Sequence, residues 1–109
     1  MQINISSKHL NMTPAIEEYI NSKAEKLMRF YDRIEQIEVK IEKTTHGFTA
    51  EIITDVEHHD DIIANSEEND LYAAIDGSID RSVRQLTDLK SRIRDDKHNT
   101  PAGGQDRWN

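Results

Sequence analysis

The stretch that determines the fold is residues 36–52, QIEVKIEKTTHGFTAEI, where apolar and polar side chains alternate on both sides of a glycine. Such alternation is typical of strands that bury one face. Gly47 can adopt the positive φ of a tight turn, so the segment predicts a β-hairpin. The polar side chains of this hairpin are expected to share the open face of a sheet. They are Gln36, Glu38, Lys40, Glu42, Glu51 and Asp55.

The segments on either side of the hairpin complete a β-α-β-β-β-α order. Residues 1–6 alternate in the same way, and residues 62–65 form a further short, mostly apolar run. Apolar residues recur at spacings of three and four over about 14–31 and about 70–95, which is typical of amphipathic helices. The connection between the first two strands is expected to be a right-handed parallel crossover. We therefore predict an α+β fold, with a four-stranded mixed sheet and two helices packed on one face.

Length and composition favour one small domain. The chain has 109 residues, of which 35% are hydrophobic and 32% are charged. We expect a folded domain over residues 1–97 and a flexible tail over residues 98–109, because the last stretch contains Trp108 as its only large apolar residue. The absence of cysteine excludes disulfides, thiolate metal sites and a cysteine nucleophile. Without a long apolar run or a signal-like start, the expected location is the cytoplasm, with no membrane partner.

The charge of the chain is unevenly distributed. The formal net charge is -7, which taken alone argues against a nucleic-acid partner. Residues 42–76, however, contain ten acidic residues and one basic residue, so they carry -9 and the remainder carries +2. The basic residues of interest lie on or beside the two predicted helices. They are Lys23, Lys26, Arg29, Arg33, Arg81, Arg84, Lys90, Arg92 and Arg94.

Helical periodicity places several of these basic residues away from the apolar stripes, at about 100° per residue. Lys26, Arg29 and Arg33 fall on the outward side of the first helix, as do Arg84 and Arg92 on the second. Two neighbouring helices would then present one basic surface that can bind phosphates. An ordinary solvated helix face has the same pattern, so the pattern alone leaves both interpretations open.

The sequence contains no clear active site. The nucleophile-elbow, phosphate-loop and dinucleotide-binding glycine motifs are absent, and no pair of carboxylates stands out, so we do not expect an enzyme. The one dense cluster of possible metal ligands is His58, His59, Asp60 and Asp61. A structural zinc site needs about four ligands, and this turn offers two or three convergent ones. We therefore expect adventitious metal binding at most, and no cofactor.

Two stretches resemble ribosome hibernation promoting factors. Residues 25–34 contain EKL followed by FYDRI, and residues 70–90 begin with the more specific DLYAAID. The opening MQINI and the helix start TPAI also fit, so the resemblance covers about residues 1–97. It implies a fold similar to double-stranded-RNA-binding domains, and binding to the small ribosomal subunit in the channel for mRNA and tRNA. It further implies a block of translation and protection of idle ribosomes.

The resemblance also implies which side chains contact ribosomal RNA. Basic residues of the two helices make those contacts in the family, by phosphate binding and shape recognition rather than base reading. The positions that match here are Lys23, Lys26, Arg29, Arg81, Arg84, Lys90, Arg92 and Arg94. Arg33 is added to this set from its charge and position alone.

The chain length indicates the short form of the family, which includes two kinds of protein. One kind promotes paired, dormant ribosomes together with a small ribosome modulation factor, and the other, the inhibitor A type, has a longer acidic tail and prevents pairing. Residues 98–109 are not acidic overall, which favours the promoting kind. A general module for structured RNA is the alternative from another class. We expect the free protein to be a monomer.

Overall fold

The computed structural model describes residues 2–98, with side chains described as far as Ile93. The element order is the predicted one. The elements are β1 (Gln2–Lys8), α1 (Pro14–Phe30), β2 (Ile34–Thr44), β3 (Gly47–Val56), β4 (Ile62–Glu68) and α2 (Leu71–His98). α2 continues past Asp95, where the sequence pattern predicted its end. Residues 99–109 of the predicted tail lie outside the described residues.

The four strands form one mixed sheet in the order β1-β2-β3-β4. β1 runs parallel to β2, and the other two pairs are antiparallel, as predicted. Val39 pairs with Ile5 on one side and with Ile52 on the other, so apolar side chains align on a single face. The polar residues of the central hairpin lie together on the opposite face, because side chains alternate along each strand.

Gly47 begins β3 directly after the hairpin turn and has a φ of 145°. An added Cβ at this position would meet the backbone of Glu68 and Asn69, at the end of the neighbouring strand. Glycine is therefore required here for its backbone conformation and for the close approach of a second chain segment. The turn predicted from the sequence is confirmed.

Both helices pack on the apolar face of the sheet and enclose a single core. α1 begins with a capping contact in which the Thr13 hydroxyl accepts a hydrogen bond from the Ile16 amide at 3.2 Å. Its buried side chains are Ile20, Ala24, Leu27 and Met28. α2 buries Leu71, Ala74, Ile75, Leu86 and Leu89 against strands β3 and β4.

The middle of α2 differs from the pattern of apolar spacing, which predicted burial of Ile79 and Val83. Both residues are only half buried, and the fully buried positions are Ser78 and Ser82. Each serine hydroxyl donates to a carbonyl of its own helix, at 2.8 Å to Ile75 and 2.9 Å to Ser78, so neither loses hydrogen bonding on burial. The small side chains suit a close approach of α2 to the sheet, while Ile79 and Val83 share the side of α2 that carries Tyr72 and Lys90, which contact α1.

The two helices lie side by side and run in the same direction. Near their N-terminal ends, the ring of Tyr19 contacts the ring of Tyr72. Near their C-terminal ends, Lys90 contacts Phe30. Tyr19, Lys23, Lys26 and Phe30 are spaced by four, three and four residues, so they share the stripe of α1 that borders α2. We call the cleft along this stripe the interhelical groove.

Candidate nucleic-acid interface

Four basic residues on the helix layer are exposed and unengaged: Lys26, Arg29 and Arg84, and also Arg92, which lies towards the β4 edge. Their side chains form no hydrogen bond or ion pair with any side chain or backbone group of residues 2–93. Helical periodicity directs Arg29 and Arg84 away from the core, while Lys26 borders the interhelical groove. Because no described side chain pairs with them directly, Lys26, Arg29 and Arg84 are available to an external anion.

Lys23 lies on the groove but already has internal partners. Its ammonium is 3.7 Å from Asp76 Oδ1 and 5.4 Å from the centre of the Tyr19 ring. The Tyr19 hydroxyl donates to the same carboxylate oxygen at 2.6 Å. This hydrogen bond, together with burial and the negative charge of Asp76, raises the pKa of Tyr19 to about 12. Asp76 therefore balances the charge of Lys23 and holds Tyr19 in its neutral form.

Lys90 connects the C-terminal ends of the two helices. Its Nζ donates to the Phe30 carbonyl oxygen at 3.3 Å and lies 4.7 Å from the centre of the Phe30 ring and 5.9 Å from that of Tyr31. The last carbonyls of a helix lack internal donors, and a cation there also complements the helix dipole. Lys90 therefore stabilises the fold, and only its remaining hydrogens are free for a ligand.

Arg81 and Arg92 lie on the other side of α2, away from the interhelical groove. Arg81 Nη1 donates to the Asn65 carbonyl at 2.5 Å, and Gln85 Nε2 donates to the Ile63 carbonyl at 3.0 Å. These contacts satisfy carbonyls on the outer edge of β4 and so protect an edge strand from unwanted pairing. Arg92 lies beside the loop that leads into β4, near His59.

The remaining two predicted residues are separate from the groove. Arg33 follows α1 and lies 4.0 Å from Glu57, an exposed pair of the kind that contributes little to stability. The side chain of Arg94 lies outside the described part of the protein. The single basic surface expected from the sequence is thus divided into the groove, the outer helix faces and the β4 edge. The physical reason is that several cations are used to join elements of the fold.

The possible metal ligands at the second turn are exposed. His59 Nδ1 lies 2.7 Å from the carbonyl oxygen of Asp60, and His58 has a φ of 59°. Among the residues with described positions, no group of three His, Cys, Asp or Glu side chains is arranged to hold a metal. Neither described helix has the length and apolar character needed to cross a membrane.

The open face of the sheet is more acidic than the helix layer. It carries a pocket of about 650 Å³, lined by two lysines, three glutamates and several neutral residues. The charged residues of this lining are Lys8, Lys40, Glu42, Glu51 and Glu67. An acidic excess on this face disfavours contact with phosphates, so the helix layer is the candidate nucleic-acid interface.

Reasoning from basic residues overlooked Tyr72, which borders the interhelical groove. Tyr72 is 39% exposed, and its ring centre is 4.8 Å from that of Tyr19, with the two rings perpendicular. No distinct signal for it exists in the sequence, because Tyr72 is seven residues before Ile79 and so falls on the apolar side of α2, where an aromatic ring is expected for packing.

Comparison with known proteins places these features in a family. Residues 3–94 match the family described as Sigma 54 modulation protein / S30EA ribosomal protein. The chain belongs to this family. It is 40% identical to the ribosome hibernation promoting factor of Escherichia coli K12 over 96 residues, covering 86% of this chain and 98% of that protein. It is also 37% identical to the ribosome hibernation promoting factor of Azotobacter vinelandii, with coverage of 84% and 85%.

Solved structures give the same result for the fold. The N-terminal domain of Thermus thermophilus Protein Y superimposes with a TM-score of 0.69 at 30% identity, covering 81% of this chain and 94% of that one. A ribosomal subunit interface protein from Coxiella burnetii superimposes with a TM-score of 0.74 at 21% identity, covering 84% and 99%. The family resemblance and the α+β fold predicted from the sequence are both confirmed.

Proposed function

We propose that this protein is a ribosome hibernation factor that binds the small ribosomal subunit, blocks translation and stabilises idle ribosomes. The observation that carries the proposal is the set of unengaged cations Lys26, Arg29 and Arg84 on the helix layer of an otherwise acidic protein. The names of the family and of its curated relatives support a ribosomal partner.

The proposed site is the channel for mRNA and tRNA, where the helix layer faces ribosomal RNA. The unengaged cations bind phosphates, and the shape of the two-helix layer selects the surface, without reading of bases. The acidic sheet face is repelled by phosphates and so orients the protein with its helices towards the RNA. A protein in that channel excludes mRNA and tRNA by occupying their volume.

The basic residues contribute unequally in this proposal. Lys26, Arg29 and Arg84 provide most of the phosphate binding, because no described internal partner competes for them and, unlike Arg92, they lie away from the β4 edge. Lys23 and Lys90 contribute less, since each is already engaged at one end of the groove. Arg33, Arg81, Arg92 and Arg94 form the periphery of the contact.

We further propose that the protein acts in the cytoplasm and promotes paired ribosomes together with a small ribosome modulation factor, and that it is a monomer when free. The curated relatives named as promoting factors favour this kind over the inhibitor A type, which blocks translation but prevents pairing. A general module for structured RNA remains the candidate from another class. The net charge of -7 argues against it, because a free duplex repels the acidic part of the protein.

The test is sedimentation of purified ribosomes through sucrose gradients, with the protein present at low and at high salt. The wild-type protein is expected to migrate with ribosomes at low salt and to be released at high salt, because phosphate contacts release counterions. The double variant Lys26→Glu, Arg84→Glu is expected to remain at the top of the gradient.

The matched control is Lys8→Glu, Lys40→Glu, which makes the same change in charge on the open sheet face. This control is expected to migrate with ribosomes. Equal loss for both double variants would show that total charge, not the helix layer, governs binding.

Comparable affinity of the wild type for free duplex RNA would favour the general RNA-binding module. When the modulation factor is added to ribosomes with the protein, paired particles are expected to form. If the protein instead reduces the number of paired particles, it is of the inhibitor A type.

A further inference from the structure

The N-terminal end of the interhelical groove contains an aromatic side chain that the fold leaves in solvent. Tyr72 is 39% exposed, and among the described residues only Ile63 is a large apolar residue with greater exposure. Tyr72 lies on the side of α2 that faces α1, beside the stripe of fully buried residues, and its contact with Tyr19 leaves part of the ring in solvent. A contact with a partner would remove this exposed aromatic surface from water.

The surroundings hold this ring in a defined place. Tyr19 contacts Tyr72 with perpendicular rings whose centres are 4.8 Å apart, an arrangement that aromatic pairs prefer. The Tyr19 hydroxyl donates to Asp76 at 2.6 Å, and Lys23 lies 3.7 Å from the same carboxylate. Asp76 thus fixes Tyr19 from the next turn of α2, and Lys23 compensates its charge. Little side-chain freedom remains to be lost when a ligand binds.

We propose that Tyr72, held in place by Tyr19, stacks against an unpaired nucleobase of ribosomal RNA. The proposal rests on the proposed function, since it requires the helix layer to face RNA. Proteins recognise unpaired bases in loops and bulges by stacking them on aromatic rings, whereas a duplex keeps its base faces inside. The Lys23 ammonium lies over the Tyr19 ring, within reach of the phosphate that accompanies such a base. This site therefore selects an unpaired nucleotide at one end of the surface on which Lys26 and Arg84 hold phosphates.

Stacking and phosphate binding respond differently to salt, and this difference tests the proposal. Affinity for small ribosomal subunits is measured over a series of salt concentrations for the wild type, Tyr72→Leu, Tyr72→Phe and Arg84→Ala. Tyr72→Leu is expected to weaken binding about tenfold at every salt concentration and to leave the slope of log affinity against log salt unchanged. Tyr72→Phe keeps the ring and is expected to bind within about twofold of the wild type. Arg84→Ala is expected to reduce the slope by about one.

Several results would overturn the assignment. Binding of Tyr72→Leu equal to that of the wild type would show that the ring makes no contact. Equal losses for the Leu and Phe variants would assign the effect to the hydroxyl, and a changed slope for Tyr72→Leu would assign it to charge. Urea unfolding of each variant verifies that the fold is intact. Absence of wild-type binding at every salt concentration would instead refute the proposed function.

A crosslink identifies what lies against the ring. Tyr72 is replaced by photoreactive benzoylphenylalanine, and the complex with small subunits is irradiated. A crosslink to ribosomal RNA at an unpaired nucleotide is the expected result. A crosslink to ribosomal proteins alone would overturn the proposal and would assign Tyr72 to a protein contact.

Discussion

Lys90 and Arg84 are both basic residues of α2, and the structure assigns them different roles. Lys90 donates to the Phe30 carbonyl and lies over the Phe30 ring, whereas Arg84 has no described internal partner. The matched changes are Lys90→Ala and Arg84→Ala, since each removes one positive charge and leaves alanine in the helix. We expect the first to reduce mainly the free energy of unfolding and the second to reduce mainly the affinity for ribosomes.

The magnitude for Lys90→Ala follows from the two interactions that the lysine ammonium makes with Phe30. A cation over an aromatic ring at an exposed site is worth about 0.5–1 kcal/mol. A cation that donates to the last carbonyls of a helix is worth about 0.3–1 kcal/mol. Together these interactions predict a decrease of about 1–2 kcal/mol in the free energy of unfolding. For a domain of this size, each kcal/mol lowers Tm by about 4–8 °C. Arg84→Ala is expected to stay within about 0.5 kcal/mol of the wild type.

Two measurements on the same samples separate these roles. Urea unfolding reports the free energy of unfolding, and sedimentation with ribosomes over a salt series reports phosphate contacts. Arg84→Ala is expected to reduce the salt slope by about one, while Lys90→Ala changes the slope by less than that. The reasoning is refuted if Lys90→Ala unfolds like the wild type and loses a full unit of slope. That outcome would make Lys90 an RNA contact with no role in joining the helices.

Two further predictions concern the turn and the groove. Gly47→Ala is expected to lower the free energy of unfolding by about 1–3 kcal/mol in urea, because alanine disfavours a φ of 145° and its Cβ would meet the Glu68 backbone; unchanged stability would contradict the described turn. For Tyr19, whose pKa is raised from 10.0 to about 12, the stabilisation by the neutral hydroxyl is complete below pH 10 and is lost as the pH rises to about 12. Urea unfolding should therefore show a steeper loss of stability over this range for the wild type than for Tyr19→Phe, and equal losses would rule out the hydrogen bond to Asp76.

The order of elements could be predicted from the sequence because its determinants are local. Alternation of apolar and polar residues around Gly47 predicts a hairpin from a short stretch of sequence. The spacing of apolar residues predicts each helix in the same way. The burial of Ser78 and Ser82 could not be read from that spacing, because polar residues are counted as exposed. Their hydroxyls are satisfied by carbonyls of the same helix, and their small size suits a close approach of helix and sheet. Burial at these two positions depends on how α2 fits the strands, which is a tertiary property.

The residue types of the candidate site could be predicted from the sequence. Which of the basic side chains are free to bind a ligand could not. Helical periodicity gives the direction of a side chain relative to its own apolar stripe, but it does not identify what lies beside it. The partners of Lys23, Arg81 and Lys90 are Asp76, Asn65 and Phe30, which lie far away along the chain. Only the packing of α1 beside α2, and of α2 over the β4 edge, brings these partners together. Packing therefore divides the basic residues into those that contact other elements of the fold and those that have no described internal partner.

The division of the basic residues also affects selectivity in the proposed function. A protein with a net charge of -7 and only a few unengaged cations on its helix layer gains little from a random RNA surface, where repulsion of its acidic part offsets a few phosphate contacts. A ribosomal channel that matches the helix layer in shape can engage Lys26, Arg29 and Arg84 at once while the acidic sheet faces away from the phosphates. Stacking at Tyr72 adds a contact that duplex RNA does not offer. Raising the net charge by substitutions on the open sheet face should therefore increase binding to random RNA more than binding to ribosomes.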